Sequence, residues 1–150
     1  MTREEFIEAL EEKGYSYREE GGKIVIDDYG NLWLSSLKTL PLGLEFKNGG
    51  DAGFGPLETL PPGTEFRNSG CVYLNSLKEL PPGVVFNNRG IVHLISLETI
   101  SPDVEFNNKM NVNLGSLTGG YFYEWEGNIK GIDSKRLLNK MIELGLFNRR

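Results

Sequence analysis

The sequence has very little of what most catalytic and metal sites require. Its 150 residues include one histidine, His93, and one cysteine, Cys71. A single cysteine excludes an intrachain disulfide and any site with several cysteine ligands. One histidine and one cysteine, with no set of acidic residues converging on them, predict neither a catalytic triad nor a zinc site. We therefore expect a protein that is not an enzyme, with no catalytic residue, no metal and no cofactor.

Long apolar runs and clusters of basic residues are also absent. No stretch approaches the roughly 18–20 apolar residues that cross a bilayer, and the acidic start MTREEFIEALEEKGY (1–15) is unlike a secretory signal. A net charge of −5 argues against a nucleic-acid partner. GDAGFG (50–55) lacks the Lys-Ser/Thr of a phosphate-binding loop. We expect a cytoplasmic protein with neither a nucleic-acid nor a membrane partner; a virus particle and a non-standard export route are the alternatives.

Turn residues, by contrast, are abundant and regularly spaced: there are 19 glycines and seven prolines. The segment CVYLNSLKELPPGVVFNNRG (71–90) has close copies directly before it at 31–50 and 51–70 and directly after it at 91–110. An apolar set that returns every 20 residues is typical of stacked coils, each of which buries its apolar face against its neighbours. The strongest apolar columns are Leu32, Ala52, Val72, Val92 and Val112; Leu37, Leu57, Leu77, Leu97 and Leu117; and Phe46, Phe66, Phe86 and Phe106.

Each coil has room for two short strands and two corners. Val72-x-Leu74 and Val84-x-Phe86 alternate with a period of two, as half-buried strands do. Pro-Pro-Gly (81–83) predicts one corner and Asn-Arg-Gly (88–90) the other. The fold class is therefore mainly β: a small parallel β-solenoid with two sheets, which we expect to be right-handed.

Two repeating columns have structural explanations. The four phenylalanines at 46, 66, 86 and 106 should stack along the core. The asparagines at 48, 68, 88 and 108 should hydrogen-bond to the backbone of the second corner or to each other.

Both ends of the solenoid have candidate caps, so that residues 1–150 form one domain. Residues 1–22 predict a helical N-terminal cap, with a capping box at Thr2 and Glu5 and an end near Gly14. Residues 23–127 form the solenoid. Residues 128–150 predict a C-terminal helical cap that begins at Asp133 or Ser134 and runs through Leu144.

The repeat L-x-x-L-P-P-G-V-x-F-x-N, seen at 77–88, resembles the short leucine-rich-repeat-like repeats of bacterial and bacteriophage proteins. The resemblance covers about residues 24–126 and departs from the usual L-x-x-L-x-L-x-x-N strand segment. It implies protein–protein recognition or a structural role. One version that it suggests is a phage- or bacteria-encoded intracellular protein that binds and inhibits a host or defence protein.

The outward face of the first sheet is the most informative surface. It combines aromatic and β-branched residues with almost no charge, as the core of a protein–protein interface does. The candidate partner-binding residues are Trp33, Tyr73, Ile91, His93, Ile95 and Asn113. The alternatives are coverage by a terminal segment or a second copy, and β-propensity without a role. A Cys71–His93 nucleophile pair is a further, weaker alternative.

The segment DAGFGP (51–56) breaks the pattern of the repeat on this face. It is either a degenerate coil or bulge, or a notch between Trp33 and Tyr73 that a partner side chain enters. We favour the degenerate coil. The leading function is a non-enzymatic protein-binding module, and the alternatives are a structural, self-assembling component and a glycan-binding module.

Overall fold

The computed structural model describes residues 1–101, 103–110, 112–113 and 132–133, and it shows the predicted mainly β fold. Stacked coils about 20 residues apart form a β-solenoid that follows one N-terminal helix, α1 (Arg3–Lys13). The strands in chain order are β1 (Tyr17–Glu20), β2 (Lys23–Ile26), β3 (Leu32–Trp33), β4 (Leu44–Phe46), β5 (Ala52–Gly53), β6 (Glu65–Phe66), β7 (Val72–Tyr73), β8 (Glu79–Leu80), β9 (Val85–Phe86), β10 (Val92–His93), β11 (Thr99–Ile100), β12 (Glu105–Phe106), β13 (Val112–Asn113) and β14 (Ile132–Asp133).

Two sheets run along the solenoid, and the coils within them pair in parallel. The first has the order β13-β10-β7-β5-β3, and the second has the order β1-β2-β4-β6-β9-β12-β14. Val72 pairs with Val92 and Phe66 with Phe86, so the register advances by one repeat from coil to coil. Each column of the sequence is therefore a ladder in the structure, with steps of about 4.8 Å.

In two coils, the corner after the first-sheet strand forms a further parallel strand pair, β8 with β11, which was not predicted from the sequence. The amide of Ser101 donates to the carbonyl of Leu80 at 2.9 Å. The preceding coils have Pro81, Pro61 and Pro41 at the equivalent position, and proline has no amide proton to extend such a ladder.

The core contains the predicted phenylalanine ladder. Phe46 and Phe66 stack with ring centroids 5.2 Å apart, Phe66 and Phe86 at 5.0 Å, and Phe86 and Phe106 at 5.3 Å. All four side chains are fully buried. The rings stack face to face because the strands that carry them pair in register from coil to coil.

The asparagine column at the second corner hydrogen-bonds to the backbone of the turn, as predicted, and its side chains are buried. The Nδ2 of Asn88 donates to the carbonyls of Gly70 and Gly90, both at 3.1 Å. Asn68 makes the same kind of bond to the carbonyls of Gly50 and Cys71. Each amide thus joins its own turn to the turn of the preceding coil.

The helix predicted in the N-terminal cap (1–22) is confirmed as α1, and the later residues of the cap form the strand β1. Thr2 and Glu5 form a capping box, and Gly14 ends α1 in the left-handed conformation. The boundary at residue 22 falls within a hairpin, in which β1 pairs antiparallel with β2. Gly21 and Gly22 both have positive φ, as a tight hairpin turn requires. The exposed strand β1 thus covers the edge that β2 would otherwise present.

The C-terminal helix predicted through Leu144 lies outside the described residues. Within the predicted C-terminal segment, the structure describes β14, which pairs antiparallel with β12. An antiparallel strand therefore adjoins the second sheet at both of its ends, through β1 and β14.

Candidate partner-binding face

The outward side of the β3, β5, β7, β10 and β13 sheet, here called the first-sheet face, carries all six predicted partner-binding residues. Trp33, Tyr73, His93 and Asn113 lie in one column, since Trp33 and Tyr73 both pair with Gly53 and His93 pairs with Tyr73 and Asn113. The exposed fractions are 44% for Trp33 and 40% for Ile95. Tyr73, Ile91, His93 and Asn113 are half-buried.

Three rings of this column contact one another along the solenoid. Tyr73 and His93 stack with centroids 4.5 Å apart and 7° between their planes. Trp33 and Tyr73 lie 5.9 Å apart at 41°. Since Trp33 and Tyr73 come from coils separated by a third coil, this contact requires the intervening residue to have no side chain.

That intervening residue is Gly53, and its backbone pairs in register with both neighbouring strands. A Cβ at this position would overlap Cε3 and Cζ3 of Trp33. The indole therefore covers Gly53, which is buried. The gap that the sequence suggested between Trp33 and Tyr73 is filled at Gly53 by Trp33 itself.

Open space lies two residues further along the same coil, at Gly55. A groove of about 270 Å³ is bounded there by Trp33, Ser35, Gly53, Phe54, Gly55, Tyr73 and Asn75. Gly55 is exposed, and a Cβ on it would be in ordinary contact, 3.5 Å from Cβ of Ser35. The groove is thus lined by two glycines, three aromatic side chains and the polar residues Ser35 and Asn75.

Tyr15 hydrogen-bonds to the backbone of β3, the edge strand of the first sheet. The Tyr15 hydroxyl accepts from the amide of Trp33 at 3.1 Å and donates to its carbonyl at 3.4 Å. This side chain follows α1 and thus ties the N-terminal cap to the first residue of the ring column. The sequence analysis missed it, because no repeat or motif marks a contact across 18 residues.

Asp51 is a second residue that the sequence analysis did not assign to the site. Its Oδ1 accepts from the amide of Cys71 at 2.8 Å, and its own amide donates to Oδ1 of Asn31 at 2.8 Å. Gly70 gives the carboxylate room, since a Cβ there would overlap Asp51 Oδ1. The carboxylate is therefore held at a fixed position beside the ring column.

The electrostatic environment keeps the ring column neutral at pH 7. Partial burial lowers the pKa of His93 below its ordinary value of 6.5, and the nearby Asp51 opposes this only in part. Partial burial raises the pKa of Tyr73, with smaller contributions from Cys71 and Asp51. Asp51 is thus the one formal charge among the described residues of the first-sheet face.

His93 stacks on the ring of Tyr73, and Cys71 lies two residues before Tyr73 on the same coil. A nucleophile would need a base aimed at it and a third group to orient that base.

Among the described residues, no group of three or more histidine, cysteine or acidic side chains is arranged to hold a metal ion. In the same part of the chain, no helix is long and apolar enough to cross a membrane.

The outward side of the second sheet is chemically different. Arg67 contacts both Glu45 and Glu65 at 3.2 Å, and Lys23 contacts Glu65 at 3.1 Å. These cations neutralise Glu45 and Glu65, which are paired in register on adjacent strands. The side chains on this face therefore form ion pairs with one another. On the first-sheet face, by contrast, the rings contact each other and Asp51 is in none of the ion pairs of the described residues.

No protein-family model matches the chain, and neither does any curated protein or solved structure.

Proposed function

We propose that this protein is a non-enzymatic protein-binding module and that its partner docks on the first-sheet face. The observation that carries the proposal is the contiguous ring column of Trp33, Tyr73 and His93 beside the Gly55 groove. Aromatic residues with little charge around them are enriched in the buried centre of protein interfaces. Rings held by their neighbours also lose little conformational entropy on binding.

The ring geometry favours a protein partner over a glycan. A sugar stacks on an aromatic side chain through the open face of the ring. In this column one face of Tyr73 is covered by His93, and Trp33 lies against the other side. Tyr73 therefore has neighbouring rings on both sides, and the contiguous rings form an apolar ridge that suits a complementary protein surface.

The resemblance to short leucine-rich-repeat-like proteins of bacteria and bacteriophages supports the same proposal, since such repeats more often bind than catalyse. Its most specific version is a cytoplasmic, phage- or bacteria-encoded protein that blocks a host or defence protein. The described fold agrees with the resemblance in one respect, the parallel stacking of 20-residue coils.

A triple substitution tests the proposal. Trp33→Ala, Tyr73→Ala and His93→Ala together should abolish capture of the partner from a lysate of the producing cells, while circular dichroism shows a folded domain. The matched control is Lys47→Ala, Asn87→Ala and Glu105→Ala, three exposed positions of the second sheet. Unchanged capture by the first variant, or an equal loss of capture in both variants, would contradict the proposal that the partner binds the first-sheet face.

Two measurements separate the alternatives. Self-association through this face would give a dimer or larger species in light scattering at high protein concentration, and the triple substitution would convert it to a monomer. A glycan-binding module would give hits on a glycan array that the same substitution removes. A monomer without glycan hits is the result that the protein-binding proposal expects.

A further inference from the structure

The first-sheet face presents two dissimilar features on one coil, a carboxylate at Asp51 and the groove at Gly55. Asp51 directly precedes β5 and Gly55 follows it by two residues, so both share the alternation of Gly53 along the coil. At about 3.3 Å per residue the two positions are at most roughly 13 Å apart. Between them lies Gly53, covered by the indole of Trp33.

Asp51 can attract a cation from a partner. The face has no other formal charge among its described residues, and none of the ion pairs of the described chain includes this carboxylate. One of its oxygens is held by the Cys71 amide at 2.8 Å, and a carboxylate has acceptor capacity beyond that bond. A single negative charge in an apolar surrounding selects strongly for a positive group, because a neutral or negative one leaves it desolvated and unpaired.

The Gly55 groove selects for a different group. Its sides are the aromatic rings of Trp33 and Tyr73, and none of the residues that bound it is charged. Its volume of about 270 Å³ suits one large side chain rather than a helix or a loop. A charged group would be desolvated there without a partner, so the occupant is apolar.

The ridge between the two features limits the residue that crosses it. An extended segment lying along the coil would direct alternate side chains toward the face, and the middle one of three would meet the indole over Gly53. A large side chain at that point would lift the segment away from both Asp51 and the groove. The middle residue is therefore small.

From these three constraints we propose that the partner presents an extended segment of the pattern basic-x-small-x-apolar, read in either chain direction. The basic residue pairs with Asp51, the small residue crosses Trp33, and the apolar residue fills the Gly55 groove. The inference rests on the proposed function, since it specifies what a protein partner offers to the first-sheet face.

A library of random nonapeptides displayed on phage provides the probe. Selection on the folded protein should enrich peptides with lysine or arginine four positions from a large apolar residue.

A synthetic peptide of the enriched sequence is then titrated against variants by fluorescence anisotropy. Asp51→Asn should weaken binding about tenfold and flatten its salt dependence, since the ionic contribution is screened by salt and the amide keeps an acceptor for Cys71. Gly55→Leu, which fills the groove, should weaken binding at least tenfold as well.

The control is Glu105→Gln on the second sheet, which changes the net charge by the same amount as Asp51→Asn and should leave the affinity unchanged. Peptides that bind in a Trp33-dependent manner but lack a basic residue, or that tolerate both Asp51→Asn and Gly55→Leu, would overturn the inference and leave the proposed function standing. Failure to enrich any peptide would also overturn it, because a linear segment would then not suffice. Binding of glycans instead of peptides would overturn the inference and the proposed function together.

Discussion

The imidazole of His93 lies flat on the ring of Tyr73, 4.5 Å from centroid to centroid and 7° from parallel, although the two residues are 20 positions apart in the chain. Their strands pair in register, so the stack is a direct product of the repeat. Trp33 extends it across Gly53, and Tyr15 fixes Trp33. The rings of the first-sheet face are therefore held in place by the strand pairing of the solenoid and by the N-terminal cap.

The stability of the protein should fall as the pH is lowered through the ordinary pKa of histidine. Burial lowers the pKa of His93 in the folded state below 6.5, with Asp51 partly opposing it. Below pH 6.5, and down to the folded pKa, the unfolded chain therefore binds more protons at this residue than the native one, and the free energy of unfolding decreases. Urea unfolding at pH 7.5 and 5.5 should show a larger decrease for the natural protein than for His93→Gln. An identical decrease in both would contradict the burial of the imidazole.

Removing one ring from the core ladder should be strongly destabilising. Phe66 is fully buried and stacks on Phe46 and Phe86. Phe66→Ala should lower the free energy of unfolding by about 3–5 kcal/mol, since the rings on either side are fixed by their coils and cannot close the cavity. Denaturant unfolding measures it, with Phe66→Leu as the milder comparison. A loss below about 1 kcal/mol would mean that the ladder is not packed as described.

The second corner should depend on its buried amide. Asn88→Ala removes two hydrogen bonds, to the carbonyls of Gly70 and Gly90, and at about 0.5–1.5 kcal/mol for each bond it should cost about 1–3 kcal/mol. The neighbouring Asn87 is exposed, so Asn87→Ala should change the stability by no more than about 0.5 kcal/mol. Thermal unfolding of the two variants side by side gives the comparison. Equal stability of the two would refute the capping role of Asn88.

Two glycines should differ sharply in their tolerance of a methyl group. A Cβ at Gly90 would lie 2.6 Å from the Cys71 amide nitrogen and 2.8 Å from Sγ, so Gly90→Ala should cost about 1–3 kcal/mol as backbone and thiol move apart. Gly55→Ala meets only an ordinary contact with Ser35 at 3.5 Å and should be within about 0.5 kcal/mol of the natural protein. The midpoints of urea denaturation test both. A tolerated Gly90→Ala would show that the corners are less tightly stacked.

The sequence predicted the scaffold because every coil repeats the same physical demands. Val72 and Phe86 recur at fixed positions since each must meet its copy one coil away. The hydrogen bonds of Asn88 to the turn backbone followed from its place in a corner column. The strand β1 was not predicted, because its charged residues lack an apolar alternation. Gly21-Gly22 was the available signal, since such a pair favours a tight hairpin turn.

The candidate site was predicted as one face of the first sheet, but the contacts between its side chains were not predicted. Column positions placed Trp33, Tyr73 and His93 on one face. They did not reveal that the indole covers Gly53, because that depends on the rotamer of a single side chain. The role of Asp51 was hidden for a similar reason: its hydrogen bond to Cys71 joins two positions whose column is otherwise chemically mixed. The residues of the candidate site differ from coil to coil. The repeat therefore gives no information about the contacts between their side chains.

The central claim is that a protein partner binds the first-sheet face, and site-specific photo-crosslinking tests it most directly. A benzophenone amino acid replaces Ser35 at the rim of the groove in one protein and the exposed Asn87 of the second sheet in another. Irradiation in the producing cells should give one adduct of discrete mass from position 35 and none from position 87. Equal adducts from both positions, or an adduct of twice the chain mass that marks a second copy of this protein, would contradict the claim.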